Sequence, residues 1–251
     1  MTDQKTMAYI NLFGVLGTLP YLCELDENAA RLIDGEKVTI GIKVKGGPEG
    51  RVVFENGKCT VLEKADPCTI LLSFPSPEKF NGMIDGTYTP IPRKGFHKIG
   101  FLTGKFIKLT DMLSAYLRAD KEALKDEKFF DVSTRLMFHL ILSAIAQIGN
   151  VDKVGKSSAS YIVDGTVKLS AGEDIALGIM AKDHHLTALH GEPDSYTSYM
   201  SFKDIKTARA LFDGEINALA CIGTGLIRVG GMISQVDNVN RILDRVALYL
   251  A

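Results

Sequence analysis

A stretch that occurs twice, Asp66 to Gly86 and Asp194 to Gly214, limits what this chain can fold into more than any other feature. With no gap, an offset of 128 places Asp66, Thr69, Ser73, Phe74, Asp85 and Gly86 on Asp194, Thr197, Ser201, Phe202, Asp213 and Gly214. Any fold assigned to one half must therefore serve the other. Thr69-Ile-Leu-Leu-Ser-Phe74 and Thr197-Ser-Tyr-Met-Ser-Phe202 carry the β-branched, aromatic and large apolar residues of a half-buried strand. A helix is expected after each. Ser76 and Asp204 are cap-type residues, and Pro77 suits a first helical position. Phe80, Met83 and Ile84 match Ala208, Leu211 and Phe212 at i, i+3, i+4, one apolar stripe per helix. The Asp-Gly pair should end each helix, because glycine enters the left-handed conformation without steric cost.

The repeat extends both ways. Upstream, at an offset of 130, Met7, Leu12, Val15, Asp34 and Gly35 fall on Met137, Leu142, Ile145, Asp164 and Gly165. Downstream, Thr103-Gly104 falls on Thr224-Gly225 at an offset of 121, which would make the first copy seven residues longer after its Asp-Gly. Between Arg118 and Lys128 eight of eleven residues are charged, so a solvated helix end or linker is expected there. The expected domains are 1–128 and 129–251.

Within the first copy, Val38, Ile40, Ile42 and Val44 alternate with polar residues, a strand with one wet face. A turn at Gly46 to Gly50 and an Asn56-Gly57 hairpin signal give three antiparallel strands. Met7 to Leu22 reads as a helix broken near Pro20 and resumed from Glu27 to Ile33; Phe96 to Leu109 shows no clean period, and Thr110 to Leu117 reads as helix. The second copy repeats the plan with strands at Thr166 to Ser170, Ile175 to Lys182 and Leu186 to Leu189. Ile216 to Ile222 and Leu226 to Val229 read as strands before a helix with Val239, Ile242, Leu243, Val246 and Leu250 on one face. Leu136 to Ile148 is apolar nearly all round but shorter than the roughly 20 residues a bilayer needs, so it reads as a buried helix.

Charge narrows the partners. The 29 basic and 30 acidic residues nearly cancel and form no cluster interleaved with aromatics, so neither nucleic acid nor an anionic membrane is expected. Cys23, Cys59, Cys68 and Cys221 form no C-x-x-C pair and read as reduced thiols. Behind Met-Thr-Asp-Gln-Lys, the apolar stretch lacks a basic region and a small-residue cleavage site, so a cytoplasmic protein is expected.

The second copy runs three strands, Asp-x-x-Thr, strand, helix, Asp-Gly, strand, then Thr-Gly-Leu-Ile-Arg-Val-Gly-Gly and an amphipathic helix. That order resembles the sterol-transfer domain of the sterol carrier protein 2 family. Asp194, Thr197, Phe202, Leu211, Gly214, Gly225, Arg228 and Gly230 occupy the family's places, while Leu226 stands where lysine is frequent. The first copy carries Asp66, Thr69, Phe74, Met83, Gly86, Gly104 and Lys105, then departs, with Leu109-Thr110-Asp111 in place of Gly230-Gly231. The resemblance implies an α/β (α+β) fold of two units, each a mostly antiparallel curved sheet with helices on one face enclosing an apolar cavity for a lipid or fatty-acid-like ligand.

Catalysis needs convergent polar groups. His184, His185 and His190, near Asp183, Glu192 and Asp194, are the histidine-rich stretch, but neighbouring histidines on a strand face opposite ways, so no metal site is expected. Gly223 and Gly225 lack the dinucleotide and Walker spacings, and no Gly-x-Ser-x-Gly elbow is present. Asp66 and Asp194 read as turn residues bonded to backbone. No enzyme and no cofactor are expected. Candidate ligand-lining residues are Phe202, Leu211, Phe212, Ile216, Ile227, Met232, Ile242 and Val246 in the second copy, with Phe74, Phe80, Met83 and Ile84 in the first. The function expected is non-enzymatic binding or carrying of a lipid or other hydrophobic molecule, better supported in the second copy, with no integral membrane span and a homodimer as a candidate assembly. The alternatives are a structural or interaction protein whose two filled copies pack as a pseudo-dimer and, third, an enzyme on acyl substrates.

Overall fold

The computed structural model describes residues 2–250. The chain forms two compact units, Met1–Leu140 and Ile141–Ala251.

In unit 1, helix α1 (Gln4–Tyr9) starts at Asp3, whose carboxylate accepts from the Lys5 and Thr6 N–H groups. The helical path does not break at Pro20. It passes through a wide π turn, Ile10–Val15, and a tight 3-10 turn, Leu16–Thr18, into α2 (Leu19–Leu25), with Pro20 in the first turn where its missing N–H costs nothing. Asp26 then caps α3 (Glu27–Ile33). Strands β1 (Val38–Val44), β2 (Glu49–Glu55) and β3 (Lys58–Glu63) are joined by tight turns; Asn56 and Gly57 both take positive φ, as the hairpin signal requires. Strand β4 (Ile70–Phe74), helix α4 (Pro77–Ile84) and strand β5 (Pro92–Lys94) follow. The aperiodic stretch from Phe96 is helical, with a 3-10 turn and a π segment (Phe101–Phe106) running into α5 (Ile107–Leu117). Mixed helical pitch is the reason no single period shows in its sequence.

The strand order is β3-β2-β1-β4-β5. Three of the four pairings are antiparallel, and β1 lies parallel to β4 with Ile40 opposite Ile70 and Val44 opposite Phe74. The sheet is therefore mixed. Val38, Ile40, Ile42, Val52, Phe54, Ile70, Leu72 and Phe74 make one buried face, covered by Leu12, Leu16, Leu22, Ile33, Phe80, Leu109 and Leu113 from the helices.

Helix α6 (Glu127–Val151) crosses the division between the units. Its first half lies in unit 1, where Val132 and Leu136 join the core, His139 stacks on Tyr21 at 3.7 Å, and the Ser133 hydroxyl donates to the Tyr116 carbonyl. Unit 2 continues with α7 (Lys153–Ala159), β6 (Gly165–Ala171), β7 (Ile175–Lys182), β8 (His185–Leu189), β9 (Ser198–Phe202), α8 (Ile205–Phe212), α9 (Ala218–Gly223), β10 (Ile227–Gly231) and α10 (Ile233–Leu250). Its sheet, β10-β9-β6-β7-β8, has the same connectivity, including a parallel β6–β9 pair. The run expected as a strand, Ile216 to Ile222, is instead a short helix: the Asn217 side chain accepts from the Ala220 N–H and fixes a helical start on an apolar run too short to declare its own period.

The downstream alignment needs a second correction. Thr103-Gly104 lies in the helical stretch after β5, whereas Thr224-Gly225 lies before β10. The counterpart of Gly231 is Gly95: both have positive φ, +78° and +87°, and an added Cβ would strike the Thr197 carbonyl oxygen in one and the Thr69 carbonyl oxygen in the other. They are 136 positions apart, so the second copy, not the first, is the longer there, and its extra residues include α9.

Two helical stretches, Gln4–Leu25 and Glu127–Val151, are long and apolar enough to cross a membrane, but 56% and 72% of their most apolar windows are buried. Core packing therefore accounts for their composition.

Candidate functional site

The nominated lining residues fall into two classes. Phe74, Phe80, Phe202, Ile227, Ile242 and Val246 are buried, the least so exposing 3%. Phe74 and Phe80 meet edge to face at 5.1 Å. In unit 2 the position of Phe80 holds Ala208, and the ring comes from one turn later, Phe212 meeting Phe202 at 6.0 Å. Ile227 stands opposite Phe202 across the β9–β10 pair. Met83, Ile84, Leu211, Phe212 and Ile216 are half-buried, and Met232 is 40% exposed. The deep class is packed by the protein's own side chains.

A polar link that sequence reading missed ties the helices of each unit together. Asp26 accepts from the Asn28 and Ala29 N–H groups at the start of α3 and from the Tyr116 hydroxyl of α5 at 2.6 Å. Asp152 accepts from the Val154 and Gly155 N–H groups at the start of α7 and from the Tyr249 hydroxyl of α10 at 2.7 Å. Burial works against both carboxylates. At Asp26 the Tyr116 hydroxyl and backbone N–H groups outweigh it; at Asp152 the Arg245 guanidinium leads with Gly155 N–H and the Tyr249 hydroxyl, and each carboxyl is held below its ordinary pKa. The two links are the same device: an N-cap aspartate after the first helix holding a tyrosine of the last.

Beside the first link lies a groove of about 520 Å³ between α3 and α5, lined by Asn28, Arg31, Leu32, Lys108, Asp111 and Met112. Half-buried Leu32 and Met112 form its apolar part. Arg31 pairs with Glu27 at 3.1 Å, but both side chains are about three-quarters exposed, so the pair is weak and the guanidinium is available. Among the described residues Lys108 and Asp111 make no ion pair. None of the twelve nominated residues lines this groove. The signal that finds it is the comparison of the two halves, because Met112 and Arg245 both stand four residues before the linking tyrosine.

Other polar groups fasten the loops. The Arg51 guanidinium donates to the carbonyls of Glu63, Lys64 and Asp66, fastening the loop before β4 over Gly41. In unit 2 the equivalent pair is reversed: Lys168 stands opposite Gly178, pairs with Glu192 and lies 5.4 Å from the Tyr196 ring. The Asp66 side chain meets the Cys68 thiol at 3.5 Å and Lys43 at 4.0 Å, so the loop is held by Arg51 more than by that carboxylate. The histidines diverge. His185 lies 3.4 Å from Asn150, while His190 Nε2 lies 3.1 Å from Ser143 Oγ and burial pushes its pKa down to about 4, leaving a neutral ring.

No family model matches the sequence, and no curated protein matches it by sequence. Among the solved structures to which the chain is similar are three of other proteins. One is a ubiquinone synthesis protein, UbiJ-SCP2, with a TM-score of 0.33 and 16% identity over 43% of this chain and 97% of that one. Another is a conserved hypothetical protein of Thermus thermophilus, described as possibly sterol carrier protein, with a TM-score of 0.34 and 18% identity over 44% and 86%. The third is sterol carrier protein 2, with a TM-score of 0.33 and 14% identity over 44% of this chain and 92% of its own.

Proposed function

We propose that the chain is a cytoplasmic, non-enzymatic binder of an amphipathic lipid-like molecule, and that the ligand lies in the α3–α5 groove. The observation that carries this reading is the lining: an apolar strip, Leu32 and Met112, flanked by Arg31 and Lys108 in a groove of about 520 Å³. That size falls within the range of about 300–1,000 Å³ for small-molecule sites. An open groove covers only part of a chain. Eight methylenes half-covered on the strip would gain about 3 kcal/mol, less than the roughly 4–15 kcal/mol that association costs. The balance must come from the head group. With two cations against Asp111, an anionic head such as a carboxylate or phosphate supplies it.

Native mass spectrometry of the purified protein, followed by solvent extraction and lipid analysis, tests this. A co-purifying acidic lipid, or uptake of added dodecanoate that Lys108→Glu weakens at least fivefold, is expected. A protein that takes up neither overturns the reading.

The second reading, an interaction protein with filled cores, is favoured by the burial of Phe80, Phe202 and Ile242, each exposed by no more than 1%. Dodecanoate binding separates the two.

A further inference from the structure

The halves share one polar link and differ at one residue beside it. Tyr116 and Tyr249 each donate to an N-cap aspartate, Asp26 and Asp152. One helical turn before each tyrosine, on the same face, stands Met112 in α5 and Arg245 in α10. The Arg245 guanidinium closes onto Asp152, with Nη2 donating to Oδ2 at 2.8 Å and Nε 2.8 Å from Oδ1. Its side chain is 20% exposed and that of Asp152 is 5% exposed, so the pair is built into the helix contact and is not a surface ornament. In the first unit Met112 puts no guanidinium on Asp26, on which Lys128 acts only through its charge, and lines the groove instead. The facing helix differs in the same sense. Counting from the cap, Asn28, Arg31 and Leu32 of α3 become Val154, Ser157 and Ser158 of α7, so the second unit lacks both the cation and the leucine that α3 gives the groove.

We infer that the residue four before the linking tyrosine decides which unit binds: Met112 keeps the first groove open, Arg245 occupies its counterpart in the second, and the chain carries one ligand. This rests on the lipid-binding reading above and adds stoichiometry and a determinant to it. A duplicated binder would otherwise be expected to carry two.

The test is native mass spectrometry of the full chain titrated with dodecanoate, with thermal unfolding in parallel. The wild type should saturate at one dodecanoate. Met112→Arg should lose binding at least tenfold and unfold at a higher temperature, because the new guanidinium meets Asp26 as Arg245 meets Asp152. Arg245→Met should unfold at a lower temperature and take up a second dodecanoate. Should it fail to fold, Met112→Arg alone decides. Two dodecanoates on the wild type, or unchanged binding by Met112→Arg, would overturn the inference while leaving lipid binding intact. No uptake by the wild type at all would overturn both.

Discussion

Replacing Asp152 by asparagine should cost far more than the same change at Asp26, although both aspartates cap a helix and hold a tyrosine. Asparagine caps about as well as aspartate, and its amide oxygen still accepts the tyrosine hydroxyl. The substitution therefore removes charge and little else. At Asp26 that charge faces a hydroxyl and two backbone N–H groups, with Lys128 acting on it only weakly through its charge, and weakening charge-assisted bonds to neutral ones costs about 0.5–1 kcal/mol. At Asp152 it also neutralises Arg245, held by two 2.8 Å contacts. Stranding a buried charge costs about 3–5 kcal/mol, and the 20% exposure of the guanidinium lowers the expected loss to about 2–3 kcal/mol. Urea denaturation followed by far-UV circular dichroism reads both variants, and a midpoint shift at unchanged slope identifies a stability change. Acid provides a control of sign. Because the folded Asp152 pKa is depressed, the pair stabilises above the unfolded carboxyl value near 4 and is lost as pH falls through the folded one. The asparagine variant should lack that acid loss. Equal losses for Asp152→Asn and Asp26→Asn would refute the claim that Arg245 makes the second link different.

Other expectations follow from single residues. Gly231→Ala should destabilise by more than about 2 kcal/mol, since the methyl would fall on the Thr197 carbonyl with the Ser198 Cα at 2.7 Å; Gly35→Ala, with positive φ but nothing within 4 Å, should cost only about 1 kcal/mol in thermal unfolding. His190 is neutral in the fold down to about pH 4 and protonates near 6.5 when unfolded, so stability should fall by up to about 3 kcal/mol between those values, and His190→Gln should flatten that slope. Phe80→Ala should cost about 3–5 kcal/mol by leaving a cavity under Phe74, and a loss below about 1 kcal/mol would show that the α4 contact is not tightly packed.

Local chemistry made much of this fold readable. The alternation from Val38 to Val44, the Asn56-Gly57 turn and the glycines that end α4 and α8 at φ +73° and +70° each state their conformation within a few residues. Features joining distant residues did not. The parallel β1–β4 pairing is a register between segments 30 residues apart, and periodicity gives each strand a face without naming its neighbour. The link from Asp26 to Tyr116 spans 90 residues, and nothing in either neighbourhood marks it. The apolar-stripe search missed the groove for another reason: four of its six lining residues are polar or charged, whereas such a search returns the residues that fill the core, as Phe202 and Ile242 do. The Thr-Gly alignment misled because two residues match easily by chance, while the strained glycines Gly95 and Gly231 are fixed by backbone contact.

The placement of α6 sets an order of events during synthesis. By the sequence repeat this helix opens the second copy, yet Val132, Leu136 and His139 complete the packing of the first unit. The first sheet is finished at Lys94 and its last covering helix at Leu117. Even so, a nascent chain stopped at the repeat boundary would display an uncovered patch where those three side chains belong. At about 5–20 residues per second, closing it waits roughly one or two seconds longer, until Leu140 has left the ribosome. A protease or chaperone pulse on arrested chains with about 128 and about 145 residues outside the exit tunnel would see the first as open and the second as closed.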